Sequence, residues 1–196
     1  MTPACRIVIA DDELDMRDYF RKILPRLGHS VAAVAENGEQ LVDFCRFYRP
    51  DLVITDIKMP YMDGIEAALK IYEELPLPVI LVSAYSDARL IERAEVDPIM
   101  AYLVKPIKQT DLEPAIRLAM HRFEQFEALR REAADVRQAL EDRKIIERAK
   151  GVLMKELSLS EPEAFRRLQK TVSAKNLKLV EVAHLALTTA KAMQTP

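Results

Sequence analysis

The sequence predicts an α/β domain built on a parallel sheet, followed by an all-helical segment. In residues 1–108, short apolar β-branched runs alternate with stretches of helical period, the pattern of a sheet covered by helices on both faces. Beyond Pro114 the chain then runs to Lys150 with neither Pro nor Gly, so one long helix is expected there. Charge divides the same way. Residues 1–108 hold 18 acids against 13 bases, and residues 137–196 hold 7 acids against 12 bases, so the basic end is suited to a polyanion.

Arg6–Ala10 reads as the first strand and ends on Asp11-Asp12-Glu13. A helix from Asp15 to Leu27 follows, closed by Gly28 in the usual position after a helix C-terminus. Val31–Ala35 is the second strand, Asn37-Gly38 a turn, and Glu39–Tyr48 the second helix. The run from Pro50 to Thr55 enters Asp56 as a buried strand, and Pro60 and Asp63-Gly64 break the chain into a loop. Ile65–Leu75 is helical and is stopped by Pro76 and Pro78. Val79–Val82 is a strand ending on Ser83, Asp87–Ala94 a short helix, and Ala101–Val104 a strand ending on Lys105-Pro106. Parallel strands share one C-terminal edge, so Asp11, Asp12, Asp56, Ser83 and Lys105 are expected to converge there.

Thr110-Asp111-Leu112-Glu113 has the form of a capping box, with Pro114 in the first turn. Apolar residues then recur at 112, 116, 119, 123, 126, 129, 133, 136 and 140. Those steps of four and three, with one repeated three, trace a coiled-coil seam with a local irregularity. A single helix packed on its own domain is the other reading of the same positions. The helix continues to Leu157, Ser160-Glu161-Pro162-Glu163 caps a second one, and Lys178–Met193 forms the last, giving a small all-α bundle.

Composition excludes several classes. Hydrophobic residues make up 49% and charged residues 31%, a globular balance with no apolar run long enough for a bilayer, so no membrane association is expected. The N-terminus lacks the basic start and apolar stretch of a signal peptide. Cys5 and Cys45 sit in apolar surroundings and fit a reducing cytoplasm. His29, His121 and His184 are too scattered for a zinc site, and no Gly-x-x-x-x-Gly-Lys phosphate loop is present.

Three carboxylates at one edge repel unless a cation neutralises them, and a hard, oxygen-preferring divalent ion, Mg²⁺, is the expected solution for Asp11, Asp12 and Asp56. Such a site also attracts phosphoryl oxygens. Asp56 can then act as a carboxylate nucleophile, with Lys105 as the cation and Ser83 as the hydroxyl donor to the phosphoryl group. Singly these residues are weak signals, since an Asp-Asp pair is usually a solvated loop and a Lys-Pro usually a turn; their placement at separate strand ends is what makes the set specific.

The set resembles the receiver domain of two-component response regulators, carried by Ile9-Ala10-Asp11-Asp12-Glu13, Asp56-Ile57-Lys58-Met59-Pro60-Tyr61-Met62-Asp63-Gly64, Val82-Ser83-Ala84 and Tyr102-Leu103-Val104-Lys105-Pro106. The resemblance implies a flavodoxin-like five-stranded parallel sheet of order 2-1-3-4-5. It implies Asp56 as phosphoacceptor from a sensor histidine kinase, and Mg²⁺ on Asp11, Asp12, Asp56 and the Lys58 backbone carbonyl. It also implies a switch made of Ser83 and Tyr102.

In the basic end, Arg143, Lys144, Lys150 and Lys155 are too scattered for one narrow stripe, while Ile145, Ile146, Ala149, Val152 and Leu153 mark a buried side. Gly151 inside a helix costs about 1 kcal/mol relative to Ala, which close approach of another backbone or a nucleic-acid strand would explain. Arg148, Arg166, Arg167, Lys170, Lys175 and Lys178 add cations suited to phosphate, although a solvated charged face has the same composition. The pattern Arg143-x-x-Ile146-Glu147-x-Ala149-Lys150-Gly151-x-Leu153-Met154, with Ala164-Phe165-Arg166-Arg167-Leu168 and Lys178-Leu179-x-x-Val182-Ala183, resembles the ANTAR domain of transcription antiterminators. That resemblance implies binding of nascent RNA hairpins.

The expectation is therefore a receiver domain at 1–121, a helical coiled-coil linker at 109–140 and an ANTAR domain at 136–192. Phosphorylation would promote a homodimer that binds RNA and prevents termination, with no separate enzymatic activity. A DNA-binding regulator would need a polar recognition helix where the last helix here is mostly apolar; a phospho-dependent interaction scaffold is the other alternative.

Overall fold

The computed structural model describes residues 3–84, 99–175 and 177–194, with 174, 175 and 191–194 as backbone only. The helix expected over Asp87–Ala94 lies outside the described residues, as does Asn176. The chain divides into two compact units, Met1–Glu127 and Ala128–Pro196.

The first unit alternates β1 (Arg6–Ala10), α1 (Leu14–Arg26), β2 (Ser30–Ala35), α2 (Gly38–Tyr48), β3 (Leu52–Asp56), α3 (Gly64–Glu74), β4 (Val79–Ser83) and β5 (Ile99–Val104). The five strands are all parallel and lie in the order β2-β1-β3-β4-β5. This is the flavodoxin-like arrangement expected from the sequence. Central strands are apolar on both faces because helices cover both: β3 is buried along its whole length. The alternation of side chains sorts them between two cores. Ile7, Ile9, Ile54 and Val82 pack with Phe20 and Leu24 of α1 and with Leu112 and Ile116. Val8, Ala10, Val53 and Leu81 pack on the other face with Leu41, Ile65, Ala68 and Ile71.

Leu112 and Ile116 open α4, a helix running from Gln109 to Leu157. Its cap differs from the one expected. The Asp111 carboxylate accepts from the Lys108 backbone N–H at 3.1 Å, so the box begins two residues before Thr110 and leaves Pro114 in the second turn. The apolar seam also divides. Positions 112, 116 and 119 are buried in the first unit's core, with Phe123 and Phe126 packed on it. Leu129, Val136 and Leu140 are 66%, 66% and 54% exposed, so this part of the seam has little cover among the described residues.

In the second unit, α4 is followed by α5 (Glu161–Lys175) and α6 (Leu179–Gln194). Glu163 accepts from both the Ser160 backbone N–H and hydroxyl, and Glu181 caps α6 by accepting from the Lys178 N–H at 2.7 Å. Ala149, Leu168, Val182 and Ala183 form the core of this unit.

Two glycines permit close contacts in the first unit. A Cβ on Gly64 would lie 2.0 Å from the Asp56 carbonyl oxygen, and one on Gly38 would lie 2.5 Å from that of Met62. The chain leaving β3 is thus pressed against the start of α3. Gly64→Ala forces a methyl group against the Asp56 backbone, and a loss of about 2–3 kcal/mol is expected in denaturant unfolding of the full chain. An unchanged midpoint would show that the loop relaxes freely.

Candidate functional site

Lys105, the residue after β5, reaches back across the C-terminal edge of the sheet. Its Nζ lies 2.9 Å from Glu13 Oε1, 3.1 Å from Asp11 Oδ2 and 3.2 Å from Asp56 Oδ1. Residues far apart in sequence thus meet because β1, β3 and β5 end on one rim. The backbone secures each of them. Asp11 Oδ1 accepts from the Glu13 N–H at 2.9 Å, and Asp56 Oδ2 accepts from the Lys58 N–H at 2.9 Å. The Lys105 N–H donates to the Ser83 carbonyl at 2.8 Å.

The electrostatics are those of crowded carboxylates. Burial raises the pKa of Asp11, and the Glu13 N–H and Lys105 only partly offset it. Burial likewise raises Asp56 against the opposing pull of Lys105, with Asp11 adding repulsion. Burial pulls the Lys105 ammonium down, but Glu13, Asp56 and Asp11 outweigh it and hold its pKa above the ordinary lysine value.

The expected metal set is Asp11, Asp12, Asp56 and the Lys58 backbone carbonyl. The carboxylate group that forms here is Asp11, Asp12 and Glu13, whose oxygens lie within 4.8 Å of one another, and Asp56 joins them through Lys105. Asp11 Oδ2 is buried without an aligned hydrogen bond among the described residues, Lys105 standing beside it as an ion pair. An orphaned carboxylate oxygen among carboxylates fits a hard cation. The sequence reading passed over Glu13, although its place beside the acid pair was visible. Lys58 is exposed beyond Asp56. Ser83 is half-buried at the end of β4, opposite Val104, and Tyr102 stands 40% exposed on the outer face of β5 with Val104.

The second unit presents cations differently from the expectation. Lys150 is only 8% exposed, its Nζ 2.6 Å from Glu161 and 3.0 Å from Glu147 and 5.8 Å from the Phe165 ring centre. It therefore ties α4 to α5, and its own burial against these exposed carboxylates leaves it little of the free surface expected from the sequence. Arg143, Lys144, Arg148, Lys155, Arg166, Arg167 and Lys178 are exposed. Lys144, Arg148, Gly151 and Lys155 follow at steps of four, three and four, so they share one exposed face of α4 after all. A Cβ on Gly151 would meet nothing within 4 Å, so packing among the described residues does not account for it.

Because ionised Asp56 is held at a raised pKa, Asp56→Asn is expected to raise the melting temperature at pH 7 without added divalent ions. The penalty of the wild-type carboxylate exists above its raised folded pKa and vanishes as pH falls below the unfolded value. The difference in melting temperature between the two proteins should therefore shrink on acidification. A lower melting temperature for the variant at pH 7 would show that the Lys105 pairing outweighs burial.

Two family profiles match the chain: the response regulator receiver domain over residues 7–117 and the ANTAR domain over 134–185. The transcriptional regulatory protein PdtaR of Mycobacterium tuberculosis is 39% identical over 184 residues, covering 94% of this chain and 90% of that protein. A protein-glutamate methylesterase/protein-glutamine glutaminase of Natronomonas pharaonis is 45% identical over 80 residues, which are 41% of this chain but 22% of the enzyme. That similarity lies in the receiver part, and the two matched families are regulatory. Among solved structures, the signal receiver domain of a modulated diguanylate cyclase from Desulfovibrio desulfuricans aligns with a TM-score of 0.58 and 28% identity, over 62% of this chain and 98% of that one. A CheX–CheY–BeF3–Mg²⁺ complex from Borrelia burgdorferi aligns at 0.54 and 25%, over 57% and 85%. The chain belongs to the two-component response regulators that carry a receiver domain and an ANTAR domain.

Proposed function

We propose that this regulator is a phosphorylation-gated, RNA-binding antiterminator. The observation that carries the reading is the meeting of Asp11, Asp56, Glu13 and Lys105 at one sheet edge, in a chain whose second unit matches the ANTAR domain. The domain limits follow the sequence reading, with the receiver at 1–121, the linker at 109–140 and the ANTAR unit at 136–192.

Asp56 is the phosphoacceptor. Its carboxylate oxygen forms a bond to phosphorus as the P–N bond of a phosphohistidine on a sensor kinase breaks and the imidazole leaves. The fixed N–H of Lys58 orients this carboxylate, and the Lys105 ammonium offsets charge on the phosphoryl oxygens. Asp11, Asp12, Asp56 and the Lys58 carbonyl are the groups that would hold Mg²⁺, with Glu13 beside them as a further carboxylate. When bound, that ion supplies charge neutralisation between the acids and the phosphoryl group. That a solved structure similar to the first unit is a complex containing BeF3 and Mg²⁺ supports a divalent cation in such a domain. Ser83 moves its hydroxyl to the phosphoryl group and Tyr102 turns inward, changing the outer face of β5.

The exposed seam at Leu129, Val136 and Leu140 pairs with that of a second copy, which brings two basic units to one RNA. Single-stranded loop bases are the readable part of RNA hairpins, and Lys144, Arg148, Lys155, Arg143, Arg166, Arg167 and Lys178 serve their phosphates. The exposed Gly151 lets a sugar-phosphate strand approach the helix closely.

Asp56→Asn should abolish the gain in hairpin-RNA binding produced by a small acyl phosphate with Mg²⁺ in a gel shift; a variant that still responds would sink the gating. Gly151→Ala should stabilise α4 by about 0.5–1 kcal/mol yet weaken RNA binding. Stabilisation with undiminished binding would show that the strand does not pass over this position.

A further inference from the structure

We infer that Arg17 is a positioning residue for the acid pocket: its guanidinium clamps the backbone of Asp11 and Asp12 in the turn that gathers the carboxylates of residues 11, 12 and 13. The inference rests on the reading of this pocket as a cation site and adds a residue to it.

Arg17 lies in α1 and is only 8% exposed. Its Nη1 donates to two successive carbonyls, Asp11 at 2.8 Å and Asp12 at 2.9 Å. Its Nη2 donates to Glu36 Oε1 at 3.0 Å, and Glu36 directly follows β2. The same corner is tied by the Asp11 N–H, which donates to the Ala35 carbonyl at 3.2 Å. Along an extended strand, successive side chains point to opposite faces. Had β1 continued unbroken, Asp11 and Asp12 would have diverged. One nitrogen reaching both carbonyls marks the place where the strand turns, and the oxygens of Asp11, Asp12 and Glu13 consequently lie within 4.8 Å of one another.

The choice of residue type supports a role beyond packing. A buried guanidinium must be hydrogen-bonded to be tolerated, and an aliphatic side chain fills a core position without that demand. The planar fork of arginine lets one nitrogen serve the two carbonyls while the other is braced by Glu36, which a lysine cannot reproduce. The phosphoryl chemistry proposed above uses Lys105 and leaves Arg17 without a direct part.

The sign of one measurement separates the ways Arg17 can act. As a bare charge it repels a bound cation, so its removal would tighten Mg²⁺ binding. As a clamp its removal loosens the site. Titration of the full chain with Mg²⁺ by calorimetry, alongside a melting curve, is expected to give Arg17→Met about a tenfold weaker Kd and Glu36→Gln about a threefold weaker one. Arg17→Lys should recover only part of the loss. An Arg17→Met protein that binds Mg²⁺ equally or more tightly overturns the proposal, whatever its melting temperature. Should that variant fail to melt cooperatively, Glu36→Gln decides: its carboxylate is 61% exposed, weaker binding supports the clamp, and unchanged binding overturns it. Asp12→Asn is the control. A wild-type chain without saturable Mg²⁺ binding, or an Asp12→Asn chain that binds normally, overturns the cation site itself and the role of Arg17 with it.

Discussion

The first unit is arranged around one electrostatic constraint: several carboxylates crowd the C-terminal edge of a sheet, and two of them, Asp11 and Asp56, are buried. Asp11 has no exposed surface and Asp56 almost none, and burial raises both pKa values. Lys105 answers that repulsion by standing within 3.2 Å of three acids, yet it leaves Asp11 Oδ2 without an aligned hydrogen bond. A site that is under-neutralised and held by backbone N–H groups is ready for more positive charge or for a group that brings it. Stability is given up locally for that readiness, which is the usual relation between a functional cluster and the fold around it.

The backbone keeps the cluster from relaxing. Gly64 sits so close to the Asp56 carbonyl that no side chain fits, and Gly38 is pressed against Met62 in the same way. Arg17 draws the carbonyls of Asp11 and Asp12 to one guanidinium. Each of these residues lies outside the charged set itself. Together they convert a flat sheet edge into a pocket with fixed side-chain directions.

Helix α4 joins two environments along one element. Leu112, Ile116 and Ala119 belong to the first unit's core, while Ile145, Ile146 and Ala149 pack in the second unit. Between them Leu129, Val136 and Leu140 are apolar and exposed. A lone helix gains little from such residues in water, so their retention at heptad spacing favours a partner of the same kind. The single-helix reading of the seam holds over Leu112, Ile116 and Ala119, and pairing of the exposed stretch with a second copy is the proposal made above.

The fold class was legible in the sequence because strand and helix periods are local properties: five apolar runs, four of them ending on Asp11, Asp56, Ser83 and Lys105, define a parallel sheet and its rim. The meeting of Asp11, Asp56 and Lys105 was legible for the same reason, since the strand ends of a parallel sheet share one rim. What the sequence left open depends on contacts across the chain. It could not show that Lys150, one cation among many, is buried between Glu147 and Glu161, because only the packing of α5 on α4 brings Glu161 near. Nor could it show that Glu13 shares Lys105 with Asp11, that Arg17 turns back onto the end of β1, or where the α4 seam leaves the core. A side chain's partner is fixed by through-space geometry, and residue type and spacing alone carry no record of it.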